Sequence, residues 1–278
     1  MFGLMLGMGL TLTLDDFRRV VSIPQPTLVG TLLQLVAMPI AGLGLARAFA
    51  LEPILAVGLV IIAACPGGVM ANVLCHMGRA DTALSITLTA TATAITLFTI
   101  PLWVRLASVA ETGGNVGMPL LETALNLGGF TILPVAIGMV VRPTWPSLAR
   151  REQWITRAST AAIIVALTVE AMGSEEPPIA AFRASWRPAL LLLAAALAMG
   201  LGIPLLLKLG GRAAATIAVE LCIKNTVLGL FVATQSLGSL EAGVPVAAFM
   251  TFQLPVGFGV LALYNVWRRL QPSSEAIS

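Results

Sequence analysis

Long apolar segments separated by short polar loops make up most of the sequence. The segments are about 18–25 residues long, as membrane-spanning helices require, and they lack the alternation of a membrane β-barrel. Nine segments are predicted, and the first is too short to span alone. Their approximate ranges are 1–14, 27–50, 53–77, 82–109, 118–141, 154–173, 189–207, 213–236 and 244–267. The pattern predicts an all-α membrane protein.

Two of these segments carry interruptions where a continuous apolar helix is expected. Segment 53–77 contains Pro66-Gly67-Gly68. Segment 213–236 carries charged and polar side chains around residues 220–225, where an apolar run is expected. Proline removes a backbone hydrogen-bond donor, and glycine leaves the backbone uncovered by a side chain. Backbone groups without partners are tolerated at membrane depth only where they are buried in protein or line a cavity. Each interrupted segment is followed by one further span. This pattern indicates inverted repeats with a binding site at the breaks. A proline kink plus one buried ion pair is the alternative.

Glu220 and Lys224 are charged residues inside a long apolar segment. A charge at bilayer depth costs roughly 2.5–3.5 kcal/mol on insertion scales, so such residues are functional candidates. On a helix, positions i and i+4 face each other, which makes the two residues a predicted pair. Removing one partner of a buried pair costs on the order of 3–5 kcal/mol. The alternative is a pair that only neutralises itself.

The composition excludes several classes of protein. The chain is 58% hydrophobic and 10% charged, whereas soluble domains carry about 25% charged residues. This apolar composition indicates the lipid bilayer as partner. The basic residues lie in loops and do not indicate nucleic acid, and no protein partner can be predicted from the sequence. His76 is the single histidine, and no Ser–His, paired-Asp or H-E-x-x-H arrangement exists, so no enzyme is expected. Cys65, Cys75 and Cys222 are predicted to be buried, without a disulfide or a zinc site.

Basic residues are distributed unequally between the two predicted membrane faces. Loops after odd-numbered spans hold eleven, namely Arg18, Arg19, Arg79, Arg142, Arg150, Arg151, Arg157, Lys208, Arg212, Arg268 and Arg269. The other face holds four, namely Arg47, Arg105, Arg183 and Arg187. Because basic loops stay cytoplasmic, the N-terminus is predicted outside and the C-terminus inside.

Three motifs resemble the bile acid:sodium symporter family, often abbreviated BASS or SBF. The motifs are Met8-Gly9-Leu10-Thr11-Leu12 with Asp16-Phe17, then Cys65-Pro66-Gly67-Gly68 with Asn72-Val73 and Ala83-Leu84-Ser85, and finally Glu220 with Asn225. The resemblance covers nearly the whole chain and indicates a bacterial member. It implies a core domain with two crossing discontinuous helices beside a panel domain. It also implies that the chain begins partway through a helix, and two explanations stay open, namely a missing polar loop or a start of the reading frame that lies upstream.

The resemblance divides the chain into five parts. They are a first panel helix (1–22), the first core repeat (23–109), panel helices (110–176), the second core repeat (177–270) and a polar tail (271–278).

The resemblance also implies two sodium sites near the crossing. Residues at the first-site ligand positions are Asn72, Ser85, Thr89 and Glu220. Ser85 and Thr89 are i and i+4 on one helix face, so both hydroxyls can point at one hard cation. Residues at the second-site positions are Gln34, Glu220 and the carbonyls of Leu221 and Ile223.

Lys224 stands where the family has a glutamine of the second site. An ammonium has three donors and no acceptor, so it cannot ligate sodium. Sodium is therefore expected at the first site and not at the second, with Lys224 as a substitute charge. Because a buried lysine can give up its proton, H⁺ is an alternative coupling ion.

The substrate that the resemblance implies is a small organic anion, such as a bile acid, a pantoate-like compound or a keto acid. The residues expected to bind it are Gly68, Val69, Met70, Ala71, Asn225 and Thr226. Helix N-termini offer backbone N–H groups to anions. Val69 and Ala71 replace hydroxyl residues of the family, so the pocket is expected to be drier.

These observations predict a secondary active transporter with alternating access, in the inner membrane of a bacterium. Two alternatives remain. One is an arsenite-type efflux carrier that uses the Cys65 thiol, and the other is a membrane sensor that binds its ligand without transporting it.

Overall fold

The computed structural model describes residues 2–11, 23–112, 120–145 and 179–270, together with residues 147, 154 and 158. Nearly all of these residues are helical, in agreement with the predicted all-α class. The helices are α1 (Phe2–Thr11), α2 (Pro24–Ala48), α3 (Pro53–Ala64), α4 (Val69–Met77), α5 (Thr82–Thr112), α6 (Leu120–Thr144), α7 (Ile179–Leu206), α8 (Gly211–Cys222), α9 (Thr226–Phe231) and α10 (Leu240–Leu270). A π-helical turn, Leu33–Ala37, lies within α2, and a second, Val232–Ser236, extends α9.

Three of the described helices, α2, α7 and α10, are long and apolar enough to cross a membrane. Helix α5 is a fourth if its halves, Thr82–Thr96 and Phe98–Ala110, form one span bent by 60°. The bend precedes Pro101, which cannot donate a hydrogen bond to the carbonyl four residues earlier. The predicted total of nine spans stays a prediction, because most of the sixth segment lies outside the described residues.

The first predicted interruption is a break between α3 and α4. Helix α3 ends at Ala64, and Cys65 adopts an extended conformation with φ −61° and ψ 146°. A residue before proline is driven out of the α region by the proline ring, so Pro66 accounts for this end. Gly68 is also extended, and α4 begins at Val69.

The second interruption is a break between α8 and α9, at Ile223–Asn225. No proline or glycine lies between Glu220 and Asn225. Instead, Asn225 is the N-cap of α9, and its Oδ1 accepts a hydrogen bond from Leu228 N at 3.1 Å. Asparagine is a preferred N-cap because its side chain replaces a missing backbone acceptor.

The two breaks meet and pair through their backbones. Gly67 and Lys224 form an isolated antiparallel bridge. Gly68 N donates to Ile223 O at 2.8 Å, and Asn225 N donates to Pro66 O at 2.9 Å. Two interrupted helices thereby satisfy each other's buried backbone groups, which neither could do alone. The predicted approach of the breaks is confirmed, while the assignment of inverted repeats stays a prediction.

Helices α3 and α8, which lead into the breaks, form the centre of the packing. Every residue from Leu55 to Ala64 and from Ala213 to Cys222 is buried. Helix α3 packs against α2, α5 and α10, and α8 packs against α7 and α10. A helix buried on all sides holds its terminal residues firmly, so the breaks have a rigid frame.

Helices α1 and α6 pack closely against each other, and α6 also contacts α5. Gly9 lies against the Val135 backbone and Gly138 against the Leu6 carbonyl, with no room for a side chain at either glycine. Both helices belong to the predicted panel. The division into panel and core domains stays a prediction.

Candidate ion and substrate site

The residues expected at the first sodium site lie together beside the crossing, which is the point where the breaks at Gly67 and Lys224 pair. Ser85 Oγ donates to Asn72 Oδ1 at 2.7 Å and also contacts Glu220 Oε1. Thr89 Oγ1 lies 3.1 Å from both Glu220 carboxylate oxygens and 3.4 Å from Asn72 Oδ1. Three helices, α4, α5 and α8, thus bring their oxygens to one point.

This oxygen cluster has more acceptors than protons. Each hydroxyl carries one proton, and an ionised carboxylate and an amide oxygen carry none. Ser85 and Thr89 therefore cannot fill all five close oxygen–oxygen contacts with hydrogen bonds. Converging oxygen lone pairs are what a hard cation binds. The four side chains fit a sodium ion.

Glu220 lies in the last turn of α8 and is 0% exposed. Its carboxylate lies against Gly67, where a Cβ atom would collide with Glu220 Oε2. Among the described residues, the groups that hydrogen-bond this carboxylate are the hydroxyls of Ser85 and Thr89. Glycine at position 67 is thus what lets the charge reach the crossing.

Gln34, expected at the second site, lies in the π-helical turn of α2 and is fully buried. Its Oε1 accepts a hydrogen bond from Gly67 N at 2.9 Å. Its Nε2 is buried without a hydrogen-bond partner. Gln34 therefore holds the first break in place, and both N–H donors of its side-chain amide are without a partner.

Lys224 is bound differently from the predicted i, i+4 pair with Glu220. Because α8 ends at Cys222, Lys224 is not on the same helix turn, and Lys224 Nζ donates to Cys65 O at 2.9 Å. Cys65 is the C-cap of α3, and a helix C-terminus carries partial negative charge that attracts a cation. The prediction of a helical Glu220–Lys224 pair is wrong, since the break turns the ammonium toward α3.

Gln253 is a site residue that the sequence analysis missed. Its Oε1 accepts a hydrogen bond from Lys224 N at 3.0 Å, and its side chain is 7% exposed. A glutamine in the otherwise apolar middle of α10 was the available signal. Gln34 and Gln253 play parallel parts, because each satisfies a backbone N–H of one break.

The other carbonyls expected at the second site belong to the second break. Ile223 O already accepts from Gly68 N at 2.8 Å. Leu221 is buried in the last turn of α8. A carbonyl has two lone pairs, so Ile223 O retains one for a ligand.

The residues expected to bind the substrate surround the starts of α4 and α9. Gly68 N and Ala71 N are not free, because they donate to Ile223 O and Gly68 O. Val69 and Met70 form the first turn of α4, and Met70 is 47% exposed. The expectation that Ala71 offers a free N–H is therefore wrong.

On the α9 side, Asn225 and Thr226 are both buried. Thr226 N donates to Lys224 O at 2.9 Å, and Asn225 Oδ1 serves as the N-cap. This leaves the Asn225 Nδ2 group as the donor that the side chain can offer to a ligand.

The comparison with known families agrees with this geometry. The sequence profile of the Sodium Bile acid symporter family matches residues 1–176, which is more than half of the chain. The chain belongs to this family. The resemblance found from the motifs is thereby confirmed, and the Sodium Bile acid symporter family is one of transporters and not of enzymes.

Individual relatives of this symporter family extend the similarity beyond residue 176. A probable sodium/metabolite cotransporter, BASS1, of Arabidopsis thaliana chloroplasts is 30% identical over 96% of this chain and 65% of its own length. An uncharacterized sodium-dependent transporter of Bacillus subtilis, YocS, is 27% identical over 98% of this chain and 83% of its own. The human ileal sodium/bile acid cotransporter is 31% identical over 59% of this chain and 47% of its own. The chain spans a little under two thirds of the length of its chloroplast relatives.

The thiol of Cys65 bears on the arsenite alternative. All three cysteines are buried and free, and Cys65 Sγ lies against Gly229 of α9. It is the backbone carbonyl of Cys65, and not the thiol, that accepts the hydrogen bond from Lys224 Nζ, at 2.9 Å. The geometry thus favours the symporter family's oxygen cluster over thiol chemistry.

Proposed function

We propose that this chain is a secondary active transporter that couples sodium binding to the movement of a small organic anion. The observation that carries the proposal is the acceptor-rich oxygen cluster of Asn72, Ser85, Thr89 and Glu220 at the crossing. Relatives named as sodium/metabolite and sodium/bile acid cotransporters support the same class.

Sodium at this cluster would connect three helices through its ligands. Its ligands come from α4, α5 and α8, so an ion neutralises Glu220 and holds these helices in one relative arrangement. A ligand shifts a two-state equilibrium by its difference in affinity for the two states. Sodium binding can therefore favour the arrangement that accepts the anion, as alternating access requires.

The substrate would bind beside this ion, at the first turn of α4 and at Asn225. The N–H groups of Val69 and Met70 and the Nδ2 group of Asn225 are donors suited to a carboxylate. Val69 is partly exposed and adds apolar surface without a hydroxyl, and Ala71 is buried behind it. This combination favours a small bile-acid-, pantoate- or keto-acid-like anion, and not a bile acid itself.

Lys224 would supply the charge that a second sodium ion supplies elsewhere in the family. Its ammonium lies at the C-terminus of α3 and close to the crossing. A cation fixed there has no need of a sodium gradient. We place the protein in the inner membrane of a bacterium, with the N-terminus outside and the C-terminus cytoplasmic.

Transport by the purified full chain in liposomes tests the proposal. Sodium-driven uptake and counterflow of a labelled anion are expected, after a thermal-shift screen of anions with and without sodium has found a substrate. Counterflow separates a carrier from a sensor, since a sensor binds the anion without exchanging it.

Variants of the oxygen cluster sharpen this test. Glu220→Ala and Asn72→Ala should lower the apparent sodium affinity roughly 10- to 100-fold, as expected for the loss of a contact to a charged group. Glu241→Ala, an exposed carboxylate in the first turn of α10, is the matched control and should behave like the parent. Normal sodium dependence of both cluster variants would rule out this sodium site.

A further inference from the structure

Three buried polar side chains on one face of α2 have polar atoms without a hydrogen-bond partner. They are Thr27 Oγ1, Thr31 Oγ1 and Gln34 Nε2. The exposed fractions of these residues are 1%, 8% and 0%. The spacing of four and then three residues places all three on one stripe of the helix.

These three side chains differ from the other buried polar side chains of the described helices by lying in one row without partners. Other buried hydroxyls in the described helices bond to a carbonyl one turn earlier, among them Thr87, Thr93, Thr96, Ser108 and Thr216. Thr91, Thr99 and Ser185 also lack partners, but they form no row that reaches the ion site. A buried polar group without a partner costs about 1–3 kcal/mol. A row of three such groups therefore indicates a functional role that offsets this cost.

The row leads from one end of α2 to the crossing of the breaks. Thr27 lies in the first turn of α2, which begins at Pro24. At 1.5 Å per residue, Gln34 lies about 10 Å deeper. There its Oε1 holds Gly67 N, beside the Glu220 carboxylate. The three side chains thus run from the first turn of α2 to the ion site.

Gly30, on the same face of α2 as this row, packs against apolar side chains of two other helices. A Cβ atom at Gly30 would lie 2.6 Å from Leu88 Cδ2 and 3.4 Å from Ile217 Cγ1. Leu88 belongs to α5 and Ile217 to α8, the two helices that carry Thr89 and Glu220. Helix α2 is therefore packed tightly against the same seam at which the oxygen cluster lies.

We propose that Thr27, Thr31 and Gln34 form one wall of a hydrated path for the coupling cation. The path connects the face at which α2 begins with the oxygen cluster, and it widens when α2 separates from Leu88 and Ile217. Water and a partly hydrated monovalent cation then supply the partners that the two hydroxyls and the amide lack. The inference rests on the proposed function and adds to it the route by which sodium enters or leaves.

Cysteine labelling tests the path without any transport measurement. Thr27→Cys and Thr31→Cys proteins are exposed in membrane vesicles to a membrane-impermeant methanethiosulfonate cation, added to each face separately. The parent, whose three cysteines are buried, gives the background. Thr87→Cys is the matched control, because Thr87 is 0% exposed, lies one position before Leu88, and has a hydroxyl bonded to Ala83 O.

The expected result is labelling of positions 27 and 31 several-fold faster than position 87, from one face only. Equal rates at the three positions would overturn the path. Fast labelling supports it even if the parent fails to transport an anion. The failure of this inference and the failure of the proposed function are therefore separate outcomes.

Paired hydroxyl variants test whether the path carries the coupling ion. Thr31→Val removes the hydroxyl at almost constant volume and should lower the rate of sodium-driven uptake several-fold. Thr31→Ser keeps the hydroxyl and should transport at the rate of the parent. Thr87→Val should leave the rate unchanged. An unchanged rate in Thr31→Val would contradict the route.

Discussion

At the scale of single residues, two buried charges at the crossing are stabilised by different groups. Hydroxyls from α5 bind the Glu220 carboxylate, and the carbonyl at the end of α3 binds the Lys224 ammonium. The two charges do not depend on a direct ion pair. Each keeps its own hydrogen-bond partners when a ligand arrives beside it.

Lys224→Gln is the residue-scale prediction. Without sodium, the variant should be destabilised by about 1–3 kcal/mol, because it loses a charge-assisted hydrogen bond to Cys65 O. This is less than the 3–5 kcal/mol first expected, since Glu220 keeps its hydroxyl partners. Sodium should restore stability, because glutamine supplies an oxygen ligand in place of the ammonium.

Thermal unfolding in sodium and in choline chloride measures this effect, with the exposed Lys208→Gln as control. The Lys224→Gln protein should also show a steeper sodium dependence of transport than the parent. A parent with a clear two-sodium Hill slope would mean that Lys224 does not replace an ion.

The residue types at the first site could be predicted from motifs, but their partners could not. Asn72, Ser85, Thr89 and Glu220 come together as expected. The use of Gln253 for Lys224 N depends on where α10 packs, which no local pattern specifies. For the same reason, the direction of the Lys224 side chain could be known only from the position of the break.

At the scale of elements, the two breaks have different origins. The first follows from Pro66 and the two glycines after it, so it could be placed to within a residue from the sequence. The second has no helix-breaking residue before its N-cap Asn225. Its position is fixed by the bridge between Lys224 and Gly67. One break is encoded locally, and the other depends on its partner.

Gly67→Ala tests this dependence. A Cβ atom would collide with the Glu220 carboxylate, so the carboxylate must move away from the oxygen cluster or the crossing must open. We expect overpacking to cost about 1–3 kcal/mol and sodium to lose most of its stabilising effect. Thermal unfolding with and without sodium measures both.

Gly202→Ala in α7 is the matched control, because a Cβ atom there meets nothing within 4 Å. That variant should be neutral or up to about 1 kcal/mol more stable, as expected for alanine in a helix. If Gly67→Ala keeps the sodium effect of the parent, Glu220 does not need its close approach to the crossing.

At the scale of the whole molecule, hydropathy and charge predicted which segments are helical but not how the helices pack against each other. The apolar segments correctly gave helices in the described ranges and a membrane protein. The resemblance placed α1 and α6 in one panel, but their contact through Gly9 and Gly138 had no sequence signal, because glycine contacts depend on how two helices meet. The membrane orientation and the panel and core division are still predictions.

The charge carried in one transport cycle is the prediction at this scale. If Lys224 stands in for one sodium ion, a monovalent anion moves with one sodium ion and no net charge. Lys224→Gln would admit a second sodium ion and carry one positive charge per cycle. A potential of 100 mV is worth about 2.3 kcal/mol per charge, or roughly a 50-fold change in the accumulation ratio.

Proteoliposomes with a fixed sodium gradient and a potential set by potassium and valinomycin measure this ratio. Accumulation by the parent should not depend on the potential, and accumulation by Lys224→Gln should rise as the interior becomes negative. The exposed Lys208→Gln should match the parent, since its charge lies outside the site. A parent that responds to potential as strongly as Lys224→Gln would show that Lys224 leaves the ion stoichiometry of the site unchanged.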